Sequence, residues 1–218
     1  MSNSEWKQYF DRKAETHGAS VKSSDYFDDA SFFMQRNHLL RWLGGLRDCE
    51  ILDAGCGVGA FSEPLTSSNT VYGVDFSEKS LEFAAKRGLK TMAGDLTALE
   101  FVDGRFDVVV CIGVIQLIEQ YQAVIAELAR VTKPGGTLLV QTLHKHSLQR
   151  KILGLFEQSH KFDRMYGMDE LAAVFAHHGI GQVSFQKMYH PFRFVNESSA
   201  PQWSDLFCTS FAIKGRKK

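Results

Sequence analysis

Cysteine is sparse and scattered: Cys49, Cys56, Cys111 and Cys208 are the only four in 218 residues. No two of them stand at metal-ligand or redox-motif spacing, so neither a zinc site nor a disulfide framework is expected. An excess of charge is also missing, because Lys plus Arg and Asp plus Glu number 25 each. A balanced chain sets up no field to gather a polyanion, which argues against nucleic acid as a partner. The N-terminus, Met-Ser-Asn-Ser-Glu-Trp-Lys, lacks an apolar signal core, and no apolar run approaches bilayer length. The expected location is the cytoplasm. Repeats and low-complexity tracts are absent too, which removes solenoids and long disordered linkers. The single basic run, Lys214, Arg216, Lys217 and Lys218, reads as a solvated tail without a role.

What is present suffices for one core and a lid: 44% of residues are hydrophobic and 12% aromatic. A single domain over 1–218 is expected, in four parts. Residues 1–45 form a helical cap, with Trp6, Tyr9 and Phe10, then Phe32, Phe33, Leu39, Leu40, Trp42 and Leu43, at helical spacing, and Gly44-Gly45 as the stop. Over 49–143, short β-rich runs alternate with helices: strands at 49–53, 70–75, 89–93, 106–111 and 136–143. Helices are expected from the glycine-rich turn through Leu65, at 77–87 with Ser77 as N-cap and Gly88 as stop, and at 121–131. A polar helical stretch at 145–166 is the expected lid, and 168–213 supplies a helix and two last strands. The pattern predicts an α/β, doubly wound Rossmann-like sheet, mostly parallel with an antiparallel C-terminal strand.

The chemistry concentrates where the first strand ends. Asp53 is followed by Gly55, Gly57 and Gly59, and 16 residues beyond Gly59 comes Asp75, at the tip of the second strand. Glycines there let the backbone turn sharply and let a ligand approach the main chain. An acid on the second strand can accept both ribose hydroxyls of an adenosine. Dinucleotide enzymes favour G-x-G-x-x-G and usually lack an acid two residues before the first glycine. Here the spacing is G-x-G-x-G, and Asp53 can face an ammonium, which favours S-adenosylmethionine, a cofactor without phosphate.

Ile51 to Gly59, Ile-Leu-Asp-Ala-Gly-Cys-Gly-Val-Gly, resembles motif I of the class I S-adenosylmethionine-dependent methyltransferases. Tyr-Gly-Val-Asp-Phe-Ser, Ala-Gly-Asp-Leu, Phe-Asp-Val-Val-Val-Cys and Arg-Val-Thr-Lys-Pro-Gly-Gly-Thr-Leu-Leu-Val follow in family order. The match spans 49–143, and its nearest look is to the ubiquinone-biosynthesis O-methyltransferases. The resemblance implies that Gly55, Cys56 and Gly57 line the cofactor, Asp75 holds its ribose and Phe76 covers its adenine. It places Asp95 and Leu96 at the adenine edge and the main chain of Cys111 and Ile112 at the methionine part. By the same analogy Arg36 takes the cofactor carboxylate; a solvated arginine is the other reading. The chain departs from many relatives at Gln116-Leu117, where they carry Glu-His, so no metal is expected. Neither Cys56 nor Cys111 follows a proline, as the nucleophile of cytosine C5 methyltransferases does, and both read as buried hydrophobes.

Methyl transfer is an in-line displacement, so an enzyme mainly has to hold donor and acceptor together in a dry site. An oxygen acceptor also benefits from a base. His144 is the first candidate, ahead of His146 and His190. The expected acceptor is a small phenolic, quinol or otherwise lipophilic molecule. Leu148, Ile152, Leu155 and Phe156 beside Arg150 and Lys151 would suit such a substrate, a peripheral membrane contact, or packing on the domain, and packing is preferred. Rival readings are a nucleic-acid or protein methyltransferase, a nicotinamide-dependent oxidoreductase, and a cofactor-binding domain without turnover. For the first, nucleic-acid modifiers usually carry an Asn/Asp-Pro-Pro-aromatic run where this chain has Cys111-Ile112-Gly113-Val114.

Overall fold

A computed structural model describes residues 3–24, 29–148, 164–189, 193–196 and 208–218. Its helices are α1 (Asn3–His17), α2 (Asp29–Leu43), α3 (Glu78–Lys86), α4 (Tyr121–Val131) and α5 (Met168–His177). Its strands are β1 (Glu50–Ala54), β2 (Thr70–Asp75), β3 (Lys90–Ala93), β4 (Phe106–Ile112), β5 (Thr132–Leu143), β6 (Ile180–Tyr189), β7 (Arg193–Asn196) and β8 (Cys208–Lys217). Among the described residues these eight strands make one sheet in the order β3-β2-β1-β4-β5-β8-β6-β7. The first five run parallel, and β8 enters antiparallel against both β5 and β6. The expected sheet, mostly parallel with an antiparallel last strand, is therefore the observed one.

Local sequence explains most elements. Phe106–Ile112 is buried almost throughout, because a central parallel strand is covered on both faces. On one face Leu138, Val140 and Phe211 pack with Leu128 of α4 and Phe175 of α5. On the other, Ile51, Val110, Leu139 and Ala212 pack with Phe32 and Leu39 of α2 and Leu81 of α3. Ser77 caps α3, its hydroxyl accepting from Ser80 N at 3.1 Å, and Gly88 at φ +90° turns the chain out of it.

Three expectations differ from what forms. The helix expected after the glycine turn is only a run of turns ending in one 3-10 turn, Glu63–Leu65. Gly55, Gly57 and Gly59 all take positive φ (77°, 50° and 76°), and Pro64 has no N–H to donate, so no α-helical ladder propagates. The C-terminal region holds three strands rather than two, and β8 runs to Lys217. The basic run is consequently strand, not tail: Lys214 Nζ donates to Trp42 O at 2.6 Å, and Lys217 Nζ donates to Thr132 O at 2.8 Å. Most of the expected lid, 149–163, lies outside the described residues, as does His190. Among the described residues no helix is long and apolar enough to cross a membrane.

Candidate functional site

In an open α/β sheet a ligand crevice opens where the strand order reverses. Here that point lies between β1 and β4, since β1 connects outward to β2 on one side and β4 leads to β5 on the other. The turn after β1 is tied down by Gly55 N and Cys56 N, which both donate to Val74 O at 2.7 and 3.1 Å. A Cβ on Gly55 would stand 2.4 Å from Val114 Cγ2, so the loop after β4 presses directly on the loop after β1. A small cleft, open to solvent, is lined there by Asp53, Gly55, Cys56, Ala60, Phe61 and Ile112 of the core, with Val21 and Phe32 from the N-terminal segment.

Two carboxylates define its electrostatics. Asp53 is 1% exposed, and its Oδ2 has no hydrogen-bond partner among the described residues. Burial pushes its pKa up to about 7, against the opposing effect of the nearby Ser62 hydroxyl; the Asp75 charge adds to the rise. Asp75 accepts from Gly57 N through Oδ2 and from Ser77 N through Oδ1, both at 2.9 Å. Burial raises its pKa as well, and those backbone N–H groups hold the rise down. The Asp75 carboxylate thus braces the glycine turn from the tip of β2.

The N-terminal segment closes one side. Asp11 of α1 accepts from the Ser77 hydroxyl at 2.7 Å, and Lys7 pairs with Glu78 at 2.6 Å. These contacts set Phe10 edge-on to Phe76, with ring centroids 6.1 Å apart. From α2, the Arg36 guanidinium donates to Ala60 O at 3.1 Å and lies over the Phe33 ring, 4.6 Å from its centroid. Arg36 is therefore half-buried beside the glycine turn. Asp95 is exposed and caps its own turn, accepting from Thr97 N at 2.8 Å, while Leu96 is buried beneath.

The remaining candidates divide by face. Ile112 lines the cleft, whereas Cys111 points into the opposite layer with Val140 and Phe211. Burial raises the pKa of both the Cys56 and Cys111 thiols. His144 follows Val140 and Thr142 in the alternation of β5, on the face away from the Asp53 cleft. It is 1% exposed and lies edge-on to Phe211, centroids 5.5 Å apart, and near exposed His146. Gln116 is buried on that side, its Oε1 accepting from the Thr142 hydroxyl at 3.1 Å. Among the described residues no group of three or more His, Cys, Asp or Glu side chains could hold a metal. Sequence reading missed Val21, Ala60 and Phe61; their apolar side chains carry no chemical signature and reach the cleft only through the fold.

Comparison with known proteins bears on the same region. The methyltransferase-domain family matches residues 52–140. An uncharacterised protein of Methanocaldococcus jannaschii is 31% identical over 72% of this chain and 69% of its own length. The ubiquinone biosynthesis O-methyltransferase of Bordetella bronchiseptica is 28% identical over 86% of this chain and 89% of its own. Among solved structures, a Thermotoga maritima S-adenosylmethionine-dependent methyltransferase superposes with a TM-score of 0.77 at 19% identity, covering 97% of this chain and 99% of that one. The magnesium protoporphyrin IX methyltransferase of Synechocystis, solved with bound S-adenosylhomocysteine, gives 0.72 at 21% identity and covers both chains fully. With a glycine turn, a buried Asp53, a half-buried Asp75 and this strand order, the chain belongs to the class I S-adenosylmethionine-dependent methyltransferases.

Proposed function

We propose that this enzyme methylates an oxygen of a small, lipophilic acceptor of the phenol or quinol class, with Asp53, Asp75, Phe76 and Arg36 holding the methyl donor. The carrying observation is the buried Asp53 Oδ2 without a partner among the described residues: an acceptor atom desolvated at that cost wants a cation or a donor, and the amino group of S-adenosylmethionine is one. The residues present fit the cofactor. Asp75 has lone pairs left after its two backbone contacts and can take the ribose hydroxyls. Phe76, backed by Phe10, offers a face to the adenine. Arg36 has donors left for a carboxylate, and Asp95 and Leu96 border the adenine edge.

When bound, S-adenosylmethionine supplies the sulfonium methyl. The protein's part is to hold the acceptor oxygen in line with that methyl and exclude water. Phe32, Phe61, Val21 and Ile112 give the cleft an apolar wall for that purpose. His144, buried on the other face, is assigned no proton transfer. The likeness to the ubiquinone biosynthesis O-methyltransferase named above supports an oxygen of a small acceptor.

The test is calorimetric titration with S-adenosylhomocysteine and with NAD, for wild type and Asp75→Ala, followed by an acceptor panel of phenols and quinols. Tight S-adenosylhomocysteine binding that disappears in the variant, no NAD binding, and methyl transfer to a phenol or quinol are expected. A folded protein that binds S-adenosylhomocysteine but methylates only peptides or nucleic acid would refute the acceptor class.

A further inference from the structure

The N-terminal helix is tied to the loop that follows β2, and the tie passes through a single carboxylate. α1 lies along α3: Lys7 pairs with Glu78 at 2.6 Å where α3 begins, and Arg87 Nη2 donates to Ala19 O at 2.8 Å where it ends. Between these anchors Asp11 reaches further in. Its Oδ1 accepts from the Ser77 hydroxyl at 2.7 Å and, more weakly, from Lys79 N at 3.4 Å. Ser77 is fully buried, so its hydroxyl proton has no water to turn to when Asp11 is removed. The same residue continues to the cofactor site: Ser77 N donates to Asp75 Oδ1, and Asp75 Oδ2 accepts from Gly57 N, both at 2.9 Å. Phe76, between Asp75 and Ser77, stands edge-on to Phe10 of α1. A continuous chain of hydrogen bonds therefore runs from α1 through Ser77 and Asp75 to the glycine turn.

We propose that Asp11 is a positioning residue for the methyl donor: it latches α1 to Ser77 and so holds Asp75 and Phe76 in place for the adenosine half. Asp11 acts through Ser77 and takes no part in bond making. The Ser77 hydroxyl also accepts from Ser80 N at 3.1 Å, so one side chain joins the α3 cap, the latch and, through its own N–H, the ribose carboxylate. The Lys7–Glu78 pair carries little of this coupling, because both side chains are more than a third exposed and screened by solvent. Linkage makes the effect reciprocal: what the Asp11–Ser77 contact adds to cofactor affinity, bound cofactor adds to the docking of α1. A contact that merely anchors the helix would leave cofactor affinity unchanged. The latch rests on the reading above in which Asp75 and Phe76 hold the adenosine.

The test combines calorimetric titration with amide hydrogen exchange on the full chain, using S-adenosylhomocysteine and 5′-methylthioadenosine as probes. Asp11→Ala should weaken both probes by about tenfold, as the loss of a charge-assisted hydrogen bond would, because they share the adenosine half. Asp11→Asn keeps an oxygen that can accept from Ser77 and should stay within about threefold of wild type. In wild type, saturating S-adenosylhomocysteine should slow exchange in α1 by at least about tenfold, and Asp11→Ala should lose most of that protection. The exchange measurement on wild type stands even if Asp11→Ala does not fold. Unchanged affinity in Asp11→Ala, an Asn variant as weak as the Ala variant, or α1 exchange indifferent to S-adenosylhomocysteine would overturn the latch. Undiminished binding of both probes by Asp75→Ala would instead bring down the reading of the adenosine site.

Discussion

Replacing Asp53 by Asn should stabilise the ligand-free enzyme while crippling its cofactor site, and the size of the gain should depend on pH. The Asp53 carboxyl titrates near 7 in the folded chain against an ordinary value of 3.8, because it is buried. The folded state thus holds its proton more tightly than the unfolded chain does. Below pH 3.8 both states are protonated and the residue costs nothing. As pH rises from 4 to 7 the unfolded chain ionises first, stability is lost progressively, and above 7 the cost levels off at about 4 kcal/mol. Asn has no such cost, so the advantage of Asp53→Asn should grow by about 2 kcal/mol between pH 5.5 and pH 8. In a chain of this size that is about 4–8 °C in Tm. Thermal unfolding of ligand-free wild type and variant at the two pH values measures it. Calorimetry should show the reverse for function: S-adenosylhomocysteine binding to wild type strengthens as pH rises through 7 with proton release, and the variant loses both the affinity and the pH dependence. A stability gap that stays flat between pH 5.5 and pH 8 would refute the reasoning, since it would mean that Asp53 is already ionised and paired in the free protein.

Gly55→Ala combines a positive φ of 77° with a Cβ 2.4 Å from Val114 Cγ2, so a loss of about 2–5 kcal/mol is expected by denaturant unfolding. Adding Val114→Ala should recover only the steric part. Arg36→Leu should weaken S-adenosylhomocysteine by about 10- to 100-fold, as the loss of a charge-assisted hydrogen bond would, and leave 5′-methylthioadenosine, which has no carboxylate, unaffected in the same titration. Equal weakening of both ligands would return Arg36 to a purely structural role. His144→Leu should keep turnover of the methylated phenol or quinol within about threefold; a loss of about 100-fold or more at unchanged cofactor affinity would restore His144 as the base.

Much of the fold is legible in the sequence because its strongest signals are local. The unbroken apolar run Val108-Val109-Val110-Cys111-Ile112 can be buried on both sides only at the centre of a parallel sheet, and it is. Asp53, the three glycines and Asp75 are read correctly as neighbours because two adjacent parallel strands must end together, and Asp53 pairs with Gly73 two residues short of Asp75. What sequence hides depends on register and on faces. The alternation of β5 separates 139, 141 and 143 from 140, 142 and 144, yet only the pairing with β4 tells which set shares a side with Asp53. Without it His144, at a strand end, looks like a base, and Gln141 looks like a polar residue that strayed into an apolar run. Charge counting fails similarly at β8, where Lys214 and Lys217 bury their aliphatic stems along the sheet and carry their ammonium groups to backbone carbonyls. In both places the informative residue is the polar one the apolar pattern should have excluded. An apolar strand with one glutamine has either a partner for that amide or a ligand for it. For Gln186 the partner is His38; for the Gln141 oxygen the described residues supply none.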